Sequence, residues 1–302
     1  MGRYDLLRQI RALDPERDYV RIYAITSSFE FPWDTTQALS FALFRTYGVP
    51  SIGGLLHRTG EFTERTQKRY DDTTLILDAV LEHGMSGADG RAAIRRMNQM
   101  HGAYGISNSD LRYVLATFVV CPIRWIDAYG WRKLVEPEKI AMANYYREIG
   151  RHMGIKQIPE TYQEFTTLLD EYERENFGFD SGARVVADST LNLLTTFWPF
   201  WLLPKPVVRQ ISYGLMDEPL LDAFHFPKPA KLTRFLARNG LRARSFYVRL
   251  TPPRKRPNRA RDSANMRSYP GGYRIPELGT FPCQAEPAQE RRPRLDEGSG
   301  AG

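Results

Sequence analysis

The sequence predicts an all-α protein, a single mainly helical domain over residues 1–250 followed by a Pro/Arg-rich tail over residues 251–302. Three observations carry this. Apolar residues recur three and four apart through several long segments, helix-capping residues flank those segments, and no series of alternating strands is separated by tight turns. Taken in order, TQALSFALFRTYG reads as a helix ending at Gly48, and TERTQKRYDDTTLILDAVLEHG as one ending at Gly84. Asp89 is placed to cap a helix whose Ile94, Met97 and His101 fall on one face. Ser107 and Asp110 fit a capping box ahead of the strongly apolar run LRYVLATFVVCPIRWIDAYG. Pro137 suits the first turn of a helix through Ala141, Tyr145, Ile149 and Met153 that stops at Gly154. Thr161 and Glu164 form a second box, opening TYQEFTTLLDEYERENFG. PAKLTRFLARNG closes at Gly240, and YVRIYAI (19–25) and RSFYVRL (244–250) are the two segments that read as short strands.

Composition narrows the function classes. The chain of 302 residues is 42% hydrophobic, 25% charged and 12% aromatic, enough apolar content to bury a cofactor-sized pocket. Two cysteines, Cys121 and Cys283, exclude a disulfide scaffold and a four-thiolate zinc site. The net charge of +7 is unevenly spread. From Thr251 onward there are ten Arg or Lys against six Asp or Glu, with eight of the 20 prolines. PPRKRPNRARD and QERRPRLDEGSGAG therefore read as a disordered basic tail, solvated or touching an acidic surface. The body carries no zinc-finger spacing and no signature of a specific nucleic-acid binder. The longest apolar stretch, Leu191 to Leu203, is too short to span a bilayer and is interrupted by Pro199. It forms a core segment or pocket wall, or its Trp198 and Trp201 make peripheral contact with a membrane.

Missing motifs exclude further chemistry. There is no dinucleotide-binding glycine fingerprint, no P-loop, no HExxH and no GxSxG elbow. The five histidines, His57, His83, His101, His152 and His225, include no pair at i+3 or i+4, so no helix offers a two-histidine metal site. A single histidine still suffices for haem, because the porphyrin supplies four nitrogens. His101 is the candidate, on the stripe of Ile94 and Met97 and followed by the small residues Gly102, Ala103 and Gly105. The competing reading is a core histidine with its ring nitrogens satisfied. Arg69 and Thr73, at i and i+4, share a face with Leu77 and Val80. A guanidinium there needs an anionic or dipolar partner: a propionate, a backbone cluster, Asp72, or a carboxylate on a neighbouring helix.

Four segments resemble the family of the mycophenolic-acid oxygenase mpaB, whose wider superfamily includes the rubber oxygenases, or latex clearing proteins. They are FPWDTTQALSFALFRTYGVPSIGGLLHRTGEF (31–62), KRYDDTTLILDAVLEHG (68–84), GRAAIRRMNQMHGAYGISNSDLRYVLATF (90–118) and YGWRKLVEPEKIAMANYYREIGRHMGIKQIP (129–159). The resemblance covers roughly residues 15 to 200. It implies a globin-like helical core binding one b-type haem and dioxygen-dependent cleavage of an isoprenoid carbon–carbon double bond. It places His101 at the axial iron ligand, and Arg69 and Thr73 at the pocket Arg and Thr, with Arg69 also toward the cofactor. Two departures accompany it. The chain opens on a charged helix where fungal members carry a membrane anchor, which implies a cytoplasmic protein. The pocket glutamate of rubber oxygenases has no counterpart between Ser51 and Gly54; the nearest carboxylates are Glu61, Glu64, Asp71 and Asp72, and Lys68 lies close by. The alternative function is a non-catalytic haem or apolar-ligand binding protein. Substrate identity and oligomeric state are not written in the sequence.

Overall fold

The structure, a computed structural model, describes residues 2–280. Fourteen α-helices make up the described frame, and no strand occurs among the described residues. The first six are α1 (Asp5–Ala12), α2 (Tyr19–Ile25), α3 (Pro32–Tyr47), α4 (Pro50–Arg58), α5 (Glu61–Glu64) and α6 (Thr66–His83). Then come α7 (Ala88–Gly102), α8 (Asn108–Tyr129), α9 (Glu136–His152), α10 (Tyr162–Asn176) and α11 (Ser181–Leu194). The last three are α12 (Lys205–Leu215), α13 (Glu218–Ala223) and α14 (Lys231–Leu250). The all-α class read from the sequence is the class observed.

Many ends fall where the capping chemistry put them. The Ser107 hydroxyl accepts the Asp110 N–H at 3.0 Å, and the Thr161 hydroxyl accepts that of Glu164 at 3.2 Å. Gly84 and Gly154 take positive φ past α6 and α9, where a side chain would be strained. Asp89 is not the cap of α7: the helix begins one residue earlier, behind Gly87, and Asp89 sits in its first turn.

The core is built around α8. Its Tyr113, Leu115, Val119 and Ile126 pack with Leu75 and Ile76 of α6, Met142 and Tyr146 of α9, and Phe165 and Leu169 of α10. A second cluster joins Phe44 and Tyr47 of α3 to Val186, Ala187 and Leu191 of α11 and to Leu220 and Leu221 of α13. Close approach of α4 and α11 requires glycine at Gly53, where a Cβ would lie 2.4 Å from both the Ala183 Cβ and the Tyr47 carbonyl oxygen.

Four expectations are corrected. YVRIYAI and RSFYVRL are helical, in α2 and α14. In α2 the β-branched and aromatic residues serve the i, i+3 burial of Ile22 and Ile25, so tertiary packing overrides strand propensity. Gly240 does not close its helix; α14 continues through it to Leu250, with open space where its side chain would be. The tail is not disordered over 251–280. The Asn258 N–H donates to the Ser28 carbonyl at 2.9 Å, Arg261 pairs with Glu82 at 2.7 Å, and Leu278 is fully buried. The stretch QERRPRLDEGSGAG lies outside the described residues. Finally, of the apolar stretch Leu191 to Leu203, Phe197 is buried but Trp198 and Trp201 are each 59% exposed, so the core reading fails for the two tryptophans.

Candidate active site

Two adjoining features define the site: a cleft beside α6 and a sealed histidine at the end of α7. The cleft has an empty volume of about 920 Å³, part of it open to solvent. Leu39 and Leu43 of α3, Thr73 and Leu77 of α6, Phe118 of α8 and Tyr145 of α9 are among its walls. Ser27 and Ser28 reach it from a π-helical turn, Thr26–Glu30, that interrupts the path from α2 to α3.

Many hydroxyls line this cleft, yet most are turned away from it. Ser27 donates to the Tyr23 carbonyl, Thr36 to Pro32, Ser40 to Thr36, Thr73 to Arg69 and Thr74 to Tyr70, at 2.7–3.0 Å. Each bond runs back one helical turn and leaves methyl and methylene groups toward the cavity. Thr35 is one exception, with a buried hydroxyl lacking any hydrogen-bond partner among the described residues. Tyr146 bonds the Tyr23 hydroxyl at 2.7 Å, so that polar pair is satisfied as well. The lining therefore suits an apolar ligand without charged handles. Asp78 sits at the rim, its carboxyl raised by burial against the opposing Arg259 charge.

Arg69 and Thr73 are brought together as their spacing requires: the guanidinium donates to the Thr73 hydroxyl. The Arg69 guanidinium lies 5.2 Å from the centre of the Phe62 ring. Asp72 is not its partner. Lys68 holds Asp72 at 2.8 Å, and the Tyr269 hydroxyl donates to the same carboxylate. Among the described residues Arg69 pairs with no carboxylate. Thr73 lines the cleft; Arg69 and His101 are not among its lining residues.

The His101 ring is half-buried, but its Nδ1 is sealed from solvent with no hydrogen-bond partner among the described residues. Burial, reinforced by the charge of Arg69, lowers its pKa to about 4, so the imidazole is neutral near pH 7. Arg69 also acts on the buried hydroxyl of Tyr47, which has Thr190 beside it. Burial raises that phenol, with Thr190 and Arg69 opposing. An unpaired polar atom in the interior costs about 1–3 kcal/mol, so the Nδ1 of His101 is an unusual feature of this packing. Gly102 and Gly105 leave open space beside the helix end, so packing does not itself demand glycine there. The Nδ1 of His101 is therefore not satisfied among the described residues.

Of the carboxylates nearest in sequence, Glu64 is exposed and the other three are occupied. Glu61 pairs with Arg65. Asp71, fully buried, accepts the Ser268 N–H at 2.9 Å, the Arg267 N–H at 3.1 Å and the Gln67 amide at 2.8 Å. Asp71, Asp72 and Lys68 thus anchor residues 263–280, which cross α6 and α7 and end with Arg96 holding the Leu278 carbonyl at 2.6 Å. The cleft-lining Tyr70, Thr74 and Tyr145 escaped sequence reading. Tyr70 and Thr74 share α6 with Thr73 and Leu77, and Tyr145 lies on the apolar face of α9, but nothing local distinguishes a cavity wall from a packed face.

Among the described residues, no three His, Cys, Asp or Glu side chains gather closely enough to hold a metal ion. A haem asks less of the protein, since one imidazole completes its strong ligand set. The neutral His101, whose Nδ1 has no hydrogen-bond partner among the described residues, and Arg69, which meets no carboxylate among them, fit an iron ligand and a partner for a propionate.

An all-helical frame with an apolar cleft beside α6 defines a class of helical protein with a candidate site for an apolar ligand. The particular family follows from comparison. The profile described as "ER-bound oxygenase mpaB/B'/Rubber oxygenase, catalytic domain" matches residues 37–245, and the chain belongs to this family. It is 31% identical over 237 residues to the ER-bound oxygenase mpaB of Penicillium roqueforti (strain FM164), covering 72% of this chain and 78% of that protein. It is 30% identical over 250 residues to the ER-bound oxygenase mpaB' of Penicillium brevicompactum, covering 76% of this chain and 58% of that one. A third relative, the ER-bound oxygenase mpaB of Penicillium brevicompactum, is 35% identical over 135 residues, 43% of this chain and 34% of the relative. No helix among the described residues is long and apolar enough to cross a membrane.

Proposed function

We propose that this chain is a haem b-dependent oxygenase that cleaves or oxidises a carbon–carbon double bond of an apolar, isoprenoid-like substrate with dioxygen. The observation that carries the reading is the sealed, unpartnered Nδ1 of His101 within the field of Arg69. Membership of a family of named oxygenases supports it. Haem b, when bound, supplies a redox-active iron for oxidation of the alkene by dioxygen.

The chain's own residues do the rest. His101 presents a neutral imidazole as the iron ligand, needing no deprotonation near pH 7. Arg69, its orientation held by Thr73, would pair with a propionate of the bound group. Thr73 keeps its own proton on the Arg69 carbonyl, so its methyl side joins Leu77 in the cleft wall. Leu39, Leu43, Leu77 and Phe118 hold the substrate chain and exclude water, which orients the double bond without polar anchors. No carboxylate is assigned as a base, because Glu61, Asp71 and Asp72 are committed to cations, backbone and hydroxyl donors.

The test is dioxygen consumption by haem-loaded protein with an isoprenoid alkene, with isotopically labelled dioxygen followed into the product carbonyls. Substrate-dependent uptake with label in both carbonyl products is the expected result. A haem-loaded protein that binds the alkene without consuming dioxygen would establish the binding-protein reading instead.

A further inference from the structure

The outer face of α14 has no partner among the described residues. Leu232, Phe235, Leu236, Phe246, Tyr247 and Leu250 are each between 60 and 70% exposed. At 100° per residue they fall in a single stripe along a 20-residue helix, which is about 30 Å long. The inner face is occupied. Arg244 pairs with Asp34 at 3.0 Å over the Trp33 ring, Ser245 donates to the Tyr129 carbonyl, and Leu241 and Val248 pack on the core. Helix α12 closes another side, where a Cβ at Gly214 would stand 3.2 Å from the Ala237 Cβ.

The one polar residue within the stripe is neutralised by its own helix. Asn239 donates its amide to the Phe235 carbonyl at 2.9 Å and accepts from Arg242 at 3.2 Å. Lys231, Arg242 and Arg249 are exposed and run along one margin of the stripe. In all, α14 holds six Lys or Arg and no carboxylate. A contiguous apolar band of this length marks an interaction surface.

We propose that α14 lies in the headgroup region of an anionic lipid bilayer, with its leucine, phenylalanine and tyrosine stripe in the acyl boundary. Charge selects this occupant. A second copy applied to the same stripe would set cations against cations with no carboxylate on the helix to answer them. An anionic membrane satisfies the stripe and its basic margin together, and Tyr247 suits the interface. The inference does not depend on the cofactor or on the reaction.

The experiment is flotation of the full chain with vesicles of phosphatidylcholine alone and of phosphatidylcholine with a minor fraction of phosphatidylserine. Binding to the mixed vesicles that weakens as ionic strength rises is expected. The Arg242→Gln/Arg249→Gln double variant should lose on the order of fivefold in partitioning per cation removed. Phe235→Ser/Phe246→Ser should lose on the order of tenfold or more. Those four residues are exposed, so circular dichroism and the thermal midpoint should match the parent chain. Absence from both vesicle fractions at low ionic strength would overturn the proposal. So would equal flotation of parent and Phe235→Ser/Phe246→Ser, or a dimer in light scattering that this variant dissolves.

Discussion

Helices α6 and α14 break the same rule in opposite directions. In α6 two carboxylates, Asp71 and Asp72, are buried; in α14 six large apolar side chains are exposed. The difference lies in where the partner is. The charges of α6 are answered inside the chain, by Lys68, Gln67 and a segment nearly 200 residues further along. The apolar stripe of α14 is answered by nothing among the described residues. An inverted pattern on a helix thus reports a missing neighbour, and whether that neighbour is internal decides between stability and binding.

Breaking α6 should cost stability and breaking α14 should not. The largest effect is expected for Asp71→Ala, which strands the Arg267 and Ser268 N–H groups and removes the acceptor of the Ser268 hydroxyl. A loss of about 3 kcal/mol should appear as a lower urea midpoint. Arg69→Ala comes next, weakening haemin affinity on the order of tenfold while barely moving the urea midpoint. Lys68→Ala should do the reverse, costing about 1 kcal/mol of stability and leaving haemin affinity alone, since Lys68 serves Asp72 and the Gly279 carbonyl. Equal effects of the two on haem would remove the distinction between Arg69 and its neighbour. The smallest effect is expected for Phe246→Ser, within about 0.5 kcal/mol of the parent in the same denaturation series. A large loss there would mean that the stripe is covered within the molecule.

The same contrast explains what could be read in advance. Helix ends marked by local chemistry, such as Ser107, Thr161 and Gly84, are visible because the cap and its acceptor lie within a few residues. The Arg69–Thr73 pair was legible for the same reason, from i, i+4 spacing alone. Gly240 misled because an exposed glycine inside a long helix costs only about 1 kcal/mol and need not stop it. The order of residues 251–280 was illegible because their partners, Ser28, Asp78, Glu82 and Asp71, lie far back in the chain. A proline- and arginine-rich composition describes the segment alone and cannot register those acceptors. His101 stood out by its place on an apolar stripe, but its lack of a hydrogen-bond partner is a property of three dimensions.

The central claim is that His101 holds a haem. It is met most directly by the absorption spectrum of the purified chain, oxidised and dithionite-reduced, with iron counted per chain, beside His101→Ala prepared identically. The account predicts a strong Soret band and near-stoichiometric iron in the parent. The variant should be folded, with iron lowered by more than about a hundredfold, beyond the loss that follows removal of an outer-shell partner. A parent chain that is colourless and takes up no added haemin would contradict it, as would a His101→Ala protein that keeps its pigment and iron in full.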